Sequence, residues 1–378
     1  MIAPGELFGY LEKQGISFVA GVPDSLLSSF SAYITEHVPR ARHVIAANEG
    51  GAVALAVGHH LATGQYPLVY MQNSGLGNAV NPLLSLADAE VYSIPMLLMI
   101  GWRGEPGMHD EPQHVKQGRT TLQMLEVMEI PYVVVDATSD WQLLMEQLLE
   151  TMKLEHRPVA LVVKKGTFLP YKVSDANSEG GHLTREEAIS LVVEQLKPSD
   201  VVVATTGMTS RELYEIREKR AEGHARDFLV VGSMGHCSQI ALGIASSRRE
   251  RTVICLDGDG SAIMHMGNLA IIGHVAPENL IHIILDNGAH DSVGGQPTAS
   301  SNIDFVALAQ SVGYRRARLA ATRVEVVNSL GQARAEVGPS LLWIKVRKGA
   351  RADLGRPKTS PIENKHALME QLLTNLGQ

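Results

Sequence analysis

Between Gly258 and Ala289 the sequence sets oxygen donors at a spacing suited to holding a divalent cation against phosphate. Gly258-Asp259-Gly260-Ser261 offers a carboxylate framed by two glycines, and 26 residues separate Gly260 from Asn287. Mg²⁺ takes octahedral oxygen ligation, commonly from one or two protein oxygens plus phosphate oxygens. Asp259 supplies a charged oxygen and Asn287 a neutral one. Gly258 and Gly260 let phosphate oxygens approach the backbone, and the amides of Ser261 and Ala262 open a helix whose dipole favours anions. Asp and Gly are also ordinary turn residues, so the four-residue motif alone carries little weight.

The elements that must position these groups read as strand, turn, helix, strand. Residues 252–256 and 280–285 are apolar runs rich in β-branched residues. Between them lies a helix-length stretch of Ala, Met, Ile and Leu, closed by Ala276-Pro277-Glu278-Asn279. This is a βαβ unit. Its two parallel strands deliver Asp259 and Asn287 to their carboxyl ends, where open α/β sheets bind ligands.

A second carboxylate stands at an analogous place. Glu49 falls where the strand at 43–47 gives way to the helix at 52–63. The helix dipole alone favours it there by ~0.3–1 kcal/mol. The same alternation runs through both halves. Helices are expected at 4–15, 26–36 and 304–312, and strands at 17–21, 68–72, 96–101, 132–135, 159–163, 201–205, 228–231 and 340–346. In the turn at 21–25, Asp24 or Ser25 is placed to cap the helix that follows. Residues 73–82 read as a Gly-rich turn without the GxGxxG of dinucleotide-binding proteins, because position 80 is Val. Residues 101–114 form a loop by Gly and Pro content, yet carry Arg103, His109, Asp110 and His114. Regular metal-ligand spacing is absent from that loop. Thr184 and Glu187 fit a capping box.

Composition bounds the class. The chain has 378 residues, 45% of them hydrophobic, enough for two domains with their own cores. The boundaries read as 1–169 and 184–378, joined by a polar, Gly-containing linker at 170–183. A net charge of −7 argues against general nucleic-acid binding and leaves capture of an anionic substrate to local basic groups. No uninterrupted apolar run reaches the ~20 residues of a membrane helix, and no signal peptide is visible. Cys237 and Cys255 lie outside any CxxC pattern, which points to a reducing compartment, cytoplasmic location and no structural zinc.

The GDG motif, its interval to Asn287 and Glu49 at a strand-to-helix turn together resemble the thiamine diphosphate enzymes. The resemblance implies an α/β chain of two thiamine diphosphate-binding domains, pyrimidine-binding then diphosphate-binding, with no middle domain. It implies Mg²⁺ held by Asp259, Asn287 and the carbonyl of Ala289, where the family's usual Asn-Asn reads Asp286-Asn287. Glu49 would hydrogen-bond the cofactor's aminopyrimidine ring and promote its imino tautomer. Thr209 and Gly232 would line the cofactor, and Met234 would prop it into a bent shape. Glu49 of one subunit would meet Asp259 of another, so a homodimer or higher oligomer is expected.

Residues 21–27 (GVPDSLL), 47–64, 99–114 (MIGWRGEPGMHDEPQH) and 351–365 narrow the resemblance to the phosphonopyruvate decarboxylase family. The match spans nearly the whole chain, and the sulfopyruvate decarboxylases share several of these motifs. The implied reaction is loss of CO₂ from 3-phosphonopyruvate in phosphonate biosynthesis. A small, highly anionic 2-oxo acid needs positive and hydrogen-bonding partners, for which Ser25, Asn73, Arg103, His109, His114 and His290 are the expected set. Ser25, His109 and His290 all remain open as proton donor. The basic residues Lys345, Arg347, Lys348 and Arg351 read either as a solvated tail or as neighbours of the anion. A nicotinamide-dependent oxidoreductase is the rival from another class, but it requires GxGxxG. A non-catalytic relative should lack Glu49 or Asp259, and both are present.

Overall fold

The computed structural model describes residues 1–172 and 183–373, which fall into two compact units, Met1–Asp175 and Ala176–Gln378. Most of the stretch read as a linker, 173–182, lies outside the described residues.

In the N-terminal unit the chain runs α1 (Pro4–Lys13), β1 (Phe18–Gly21), α2 (Ser28–His37), β2 (His43–Ile45), α3 (Glu49–Thr63), β3 (Pro67–Gln72), α4 (Leu76–Pro82) and β4 (Leu97–Gly101). It continues with α5 (Pro112–Val127), β5 (Tyr132–Val135), α6 (Trp141–Glu155) and β6 (Val159–Val163). The six strands are all parallel in the order β2-β1-β3-β4-β6-β5. Apolar side chains cover both faces, as a parallel sheet requires. Val19, Leu68, Tyr70 and Met99 face one core, and Phe18, Ala20, Val69 and Met71 the other.

The C-terminal unit runs α7 (Arg185–Glu194), β7 (Val201–Ala204), α8 (Met208–Arg220), β8 (Asp227–Leu229), α9 (Cys237–Ser247), β9 (Val253–Gly258), α10 (Asp259–Met264) and α11 (Gly267–Val275). After these come β10 (Leu280–Asp286), α12 (Phe305–Ser311), β11 (Arg316–Ala320), α13 (Arg323–Ala335), β12 (Ser340–Lys345) and α14 (Pro361–Leu373). Its parallel sheet has the order β11-β12-β10-β9-β7-β8. The capping box opens α7, with the Thr184 hydroxyl accepting from the Glu187 amide at 3.1 Å and Glu187 answering the Thr184 amide at 2.7 Å. Among the described residues no third sheet is present, and no helix is long and apolar enough to cross a membrane.

Three local readings change. The Gly-rich stretch at 73–82 is helical from Asn73 on, because burial of Leu76 and Ala79 outweighs the glycines. The single helix expected after Gly260 is two, broken at His265 and Met266. There the chain bends so that Asn268 Nδ2 donates to the Gly235 carbonyl at 3.0 Å. Strand β11, with the sequence RARLA, is an edge strand that had shown no apolar run.

Candidate active site

In each unit the strand order reverses beside the first strand, the place where open α/β sheets bind ligands outside the carboxyl ends of the strands. In the C-terminal unit this happens between β7 and β9. Four turns gather at that edge. The Ser261 hydroxyl ties three of them, lying 3.1 Å from Thr205 Oγ1 and accepting from the Gly235 amide at 3.1 Å. Ser261 therefore acts through its hydroxyl as a strut. Thr209 is buried in the first turn of α8, Gly232 leads the turn after β8, and Met234 is half-buried in it.

Asp259 is the first residue of α10, only 2% exposed, and accepts from the Thr298 hydroxyl. Burial, reinforced by the neighbouring Asp286 carboxylate, pushes its carboxyl up to about 6. A buried carboxylate raised in this way fits a site that a cation completes. Asn287 follows β10 directly. Its Oδ1 accepts from the Ala289 amide at 3.0 Å, and its Nδ2 donates to Asp291 at 2.6 Å. Asp291 is held in turn by Arg185 at 3.0 Å, and Arg185 grips Glu212 through two bonds of 2.8 and 3.0 Å, with Arg185 and Glu212 both buried. Asn287 is thereby fixed with its amide nitrogen turned away and its oxygen retained as an acceptor. Asp286 has a different task. It accepts from Trp343 Nε1 at 2.9 Å, Lys345 Nζ at 2.7 Å, Ser300 Oγ at 2.8 Å and the Gly288 amide at 3.0 Å, with no acceptor left over.

The two glycines of the motif differ. A side chain added at Gly258 would meet open space, whereas one at Gly260 would lie 2.9 Å from the His290 ring. Gly258 is thus the one open to a phosphate. His290 packs on Gly260 from the loop closed by the Ala289–Pro297 bridge, and burial lowers it to about 4. It is half-buried against the motif. The helix behind the motif has six residues, so its dipole adds less than a full helix would.

In the N-terminal unit the reversal lies between β1 and β3. The carboxyl ends of β1, β2, β3 and β4 lead into Ser25, Glu49, Asn73 and Arg103 respectively. Glu49 opens α3 one residue past the cap, Asn48, whose Oδ1 accepts from the Gly51 amide at 2.8 Å. Its carboxyl is 6% exposed and burial raises its pKa, partly offset by Asn78 Nδ2 donating to Oε2 at 2.7 Å. The other oxygen faces Gly75, where an added Cβ would lie 2.3 Å from Oε1. A buried carboxyl with a raised pKa fits a group that exchanges a proton with a ring nitrogen.

A cleft of about 280 Å³ at the same sheet edge is lined by Ser25, Trp102, Arg103, His109 and Lys165, among others. Arg103 is clamped by Asp110 through Nε at 2.8 Å and through its second terminal nitrogen, and its remaining terminal nitrogen donates to Ser25 Oγ at 2.8 Å. Burial works to raise Asp110, but Arg103 and the amides of Glu111 and Gly104 outweigh it and hold the carboxyl well below the usual range. Arg103 is therefore charge-balanced. Lys164 is paired with Glu105 at 2.6 Å, whereas Lys165 is exposed with no ion pair among the described residues. Lys165 escaped sequence reasoning because it lies past β6, far along the chain from the Gly101–His114 loop.

Several expected roles change. The Asn73 amide donates to the Arg103 carbonyl and to Thr121, each at 2.8 Å, and its oxygen accepts from the Arg103 amide at 3.1 Å. It secures the Arg103 backbone. His114 is buried within α5 and does not line the cleft. With Asp110 committed to Arg103, residues 101–114 form no metal cluster, and among the described residues the only such cluster is Cys255, Asp257 and His282. The basic cluster is spent on acids and carbonyls. Lys345 holds Asp286, Lys348 reaches the Gly295 carbonyl at 2.6 Å, and Arg351 binds Glu186, Glu215 and Asp353.

Comparison with known proteins identifies the family. The N-terminal TPP (thiamine pyrophosphate) binding domain of thiamine pyrophosphate enzymes matches residues 6–127, and the C-terminal TPP binding domain matches 205–344. The chain is 35% identical to a phosphonopyruvate decarboxylase of Streptomyces hygroscopicus, across 96% of this chain and 92% of that one. It is 28% identical to a sulfopyruvate decarboxylase of Methanosarcina acetivorans, across 90% of each. A sulfopyruvate decarboxylase subunit beta of Methanothermobacter thermautotrophicus is 39% identical over 44% of this chain and 84% of its own length. The chain belongs to the thiamine pyrophosphate enzymes and, among them, to the phosphonopyruvate decarboxylase family.

Proposed function

We propose that this protein decarboxylates 3-phosphonopyruvate to phosphonoacetaldehyde and CO₂, using thiamine diphosphate and Mg²⁺. The observation that carries the substrate class is the cleft of Ser25, Arg103, His109 and Lys165 on the sheet edge that presents Glu49. The near-full-length identity to phosphonopyruvate decarboxylases supports it.

When bound, thiamine diphosphate supplies an electron sink for the pair left behind as CO₂ departs from a 2-oxo acid. Asp259, Asn287 Oδ1 and the Ala289 carbonyl would hold the metal. Gly258 would leave room for a phosphate oxygen, and Met234, Thr209 and Gly232 would contact the cofactor. Glu49, whose carboxyl burial pushes up, would hold or accept a proton at the aminopyrimidine ring. Lys165 supplies net positive charge to the phosphonate. Arg103 contributes directed N–H groups, its own charge being balanced by Asp110. Because Ser25 Oγ accepts from Arg103, its own proton is left to donate into the cleft.

The active assembly is a homodimer or larger, with Glu49 of one copy serving the cofactor held by Asp259 of another. The existence of a relative named as a beta subunit, matching less than half of this chain, supports function by association of separate bodies. Sulfopyruvate is the second reading, favoured by the 28% identical relative. Turnover of phosphonopyruvate that requires both thiamine diphosphate and Mg²⁺, and is lost in Glu49→Gln and Asp259→Ala, is the expected result. Full activity in either variant would remove these roles.

A further inference from the structure

Away from the active-site groups, the C-terminal unit buries a cluster that neither the fold nor the proposed reaction uses. Cys255 and Asp257 lie two apart on one face of β9, and His282 is the register partner of Cys255 on β10. All three are 0–1% exposed. One ligand atom from each lies within 4.8 Å of the others. The His282 ring is oriented by Tyr314, whose hydroxyl sits 2.9 Å from Nδ1. That contact turns Nε2 inward to 3.4 Å from Asp257 Oδ2, and neither of these two buried atoms completes a hydrogen bond. Cys237, the first residue of α9, brings a second sulfur to 3.5 Å from Cys255 Sγ. The two cysteines are 18 residues apart in sequence, which hid the cluster from any CxxC search.

We propose that Cys255, Asp257 and His282 form a buried site for a borderline-soft divalent transition metal, best matched by Zn²⁺, with Cys237 Sγ, 3.5 Å from Cys255 Sγ, the nearest further donor. Three arguments converge. Tetrahedral zinc with bonds of about 2.0–2.3 Å spaces its ligand atoms by about 3.3–3.8 Å. The 3.4 Å between His282 Nε2 and Asp257 Oδ2 already matches that spacing, and the three ligand atoms all lie within 4.8 Å of one another. A thiolate, a carboxylate and a neutral imidazole around Zn²⁺ sum to zero charge, which suits an apolar core and satisfies both orphaned atoms. Sulfur and imidazole ligands select against Mg²⁺, so this site is chemically distinct from the oxygen-only set at Asp259. Tyr314 is the outer partner that ligating histidines usually have, with Nδ1–H donating to its oxygen and the Nε2 lone pair left for the metal. On binding, the Cys255 thiol proton is released to solvent and no redox change occurs. The ion would pin β9 to β10 two residues before Asp259.

The test is production of the full chain in zinc- or cobalt-supplemented medium, purification under thiol reductant, and metal analysis by mass spectrometry. The proposal expects stoichiometric zinc in the wild type and in Asp259→Ala, and its loss in Cys255→Ser and His282→Gln. Should those two variants fail to fold, the cobalt-loaded wild type decides alone. A thiolate-to-cobalt charge-transfer band with tetrahedral d–d intensity supports the site. Absence of stoichiometric metal and of that band overturns it, leaving the cluster a buried proton-sharing group. Retention of metal in Cys255→Ser with loss in Asp259→Ala overturns it equally.

Discussion

Gly75→Ala isolates the placement of Glu49 from every other feature of the N-terminal unit. Gly75 has φ −76° and ψ −14°, a conformation alanine adopts without strain. Its added Cβ would nevertheless lie 2.3 Å from Glu49 Oε1 and 2.6 Å from both Cδ and Cγ. Because Cγ is involved, swinging the carboxylate tip does not relieve the contact, and the side chain must retreat by about 1 Å to reach ordinary separation. A misplacement of that size at a reacting group costs on the order of 10²-fold in rate, about 2.7 kcal/mol of barrier. Gly77→Ala, where nothing lies within 4 Å of the added Cβ, is the matched control. In an exposed helix position it should be neutral or stabilising by up to ~1 kcal/mol. The assay is steady-state decarboxylation with saturating thiamine diphosphate and Mg²⁺, alongside thermal unfolding. The expected result is a kcat depressed about a hundredfold in Gly75→Ala, a near-normal melting point and an unaffected Gly77→Ala. Wild-type kcat in Gly75→Ala would refute the claim that Glu49 acts from its observed position.

Other consequences are testable in the same preparation. Arg185→Met leaves Glu212 and Asp291 buried without their cation and releases Asn287, so the Mg²⁺ concentration needed for half-maximal activity should rise roughly 10–100-fold while Cys255-based zinc content stays constant. Lys165→Ala should raise KM for phosphonopyruvate far more than it lowers kcat, whereas Lys164→Ala, which removes a partner of Glu105, should do little. His43 is buried and held down to about 4, so the unfolded chain takes up a proton below about 6.5 that the folded chain refuses. Stability should therefore fall by roughly 3 kcal/mol between pH 6.5 and 4 from this residue, and urea titrations of His43→Gln should show a shallower loss. Mixing Glu49→Gln with Asp259→Ala chains under subunit exchange should restore activity that neither has alone, and failure to do so despite demonstrated exchange would contradict a site shared between copies.

Much of this architecture was legible in the sequence because parallel strands buried on both faces are short apolar runs closed by turns. Strands β5 and β6 match their expected spans residue for residue. The edge strand β11 was not legible, since RARLA alternates arginine with small residues and shows no run. Near the candidate site, Asp259 and Asn287 could be placed from sequence because each directly follows a strand, and Glu49 because it stands at a strand-to-helix turn. What sequence could not assign was competition among neighbours. Asn73, Arg103 and Asp110 all look like ligands, yet each satisfies another, and only the fold shows that Asn73 is spent on the Arg103 backbone and Thr121. Lys345 looked available for substrate until Asp286 was seen to hold it. Lys165 and the Cys237–Cys255 pair were invisible for the converse reason, since residues distant in sequence become neighbours only through sheet order.

The central claim is the identity of the reaction, and the most direct measurement compares kcat/KM for phosphonopyruvate and sulfopyruvate with thiamine diphosphate and Mg²⁺ present, following CO₂ and the aldehyde product. Phosphonate carries more charge and accepts more bonds from Lys165 and Arg103 than sulfonate does. Phosphonopyruvate should turn over in that assay with the larger kcat/KM, and turnover of sulfopyruvate alone, or of neither substrate by cofactor-loaded protein, would contradict the proposed reaction.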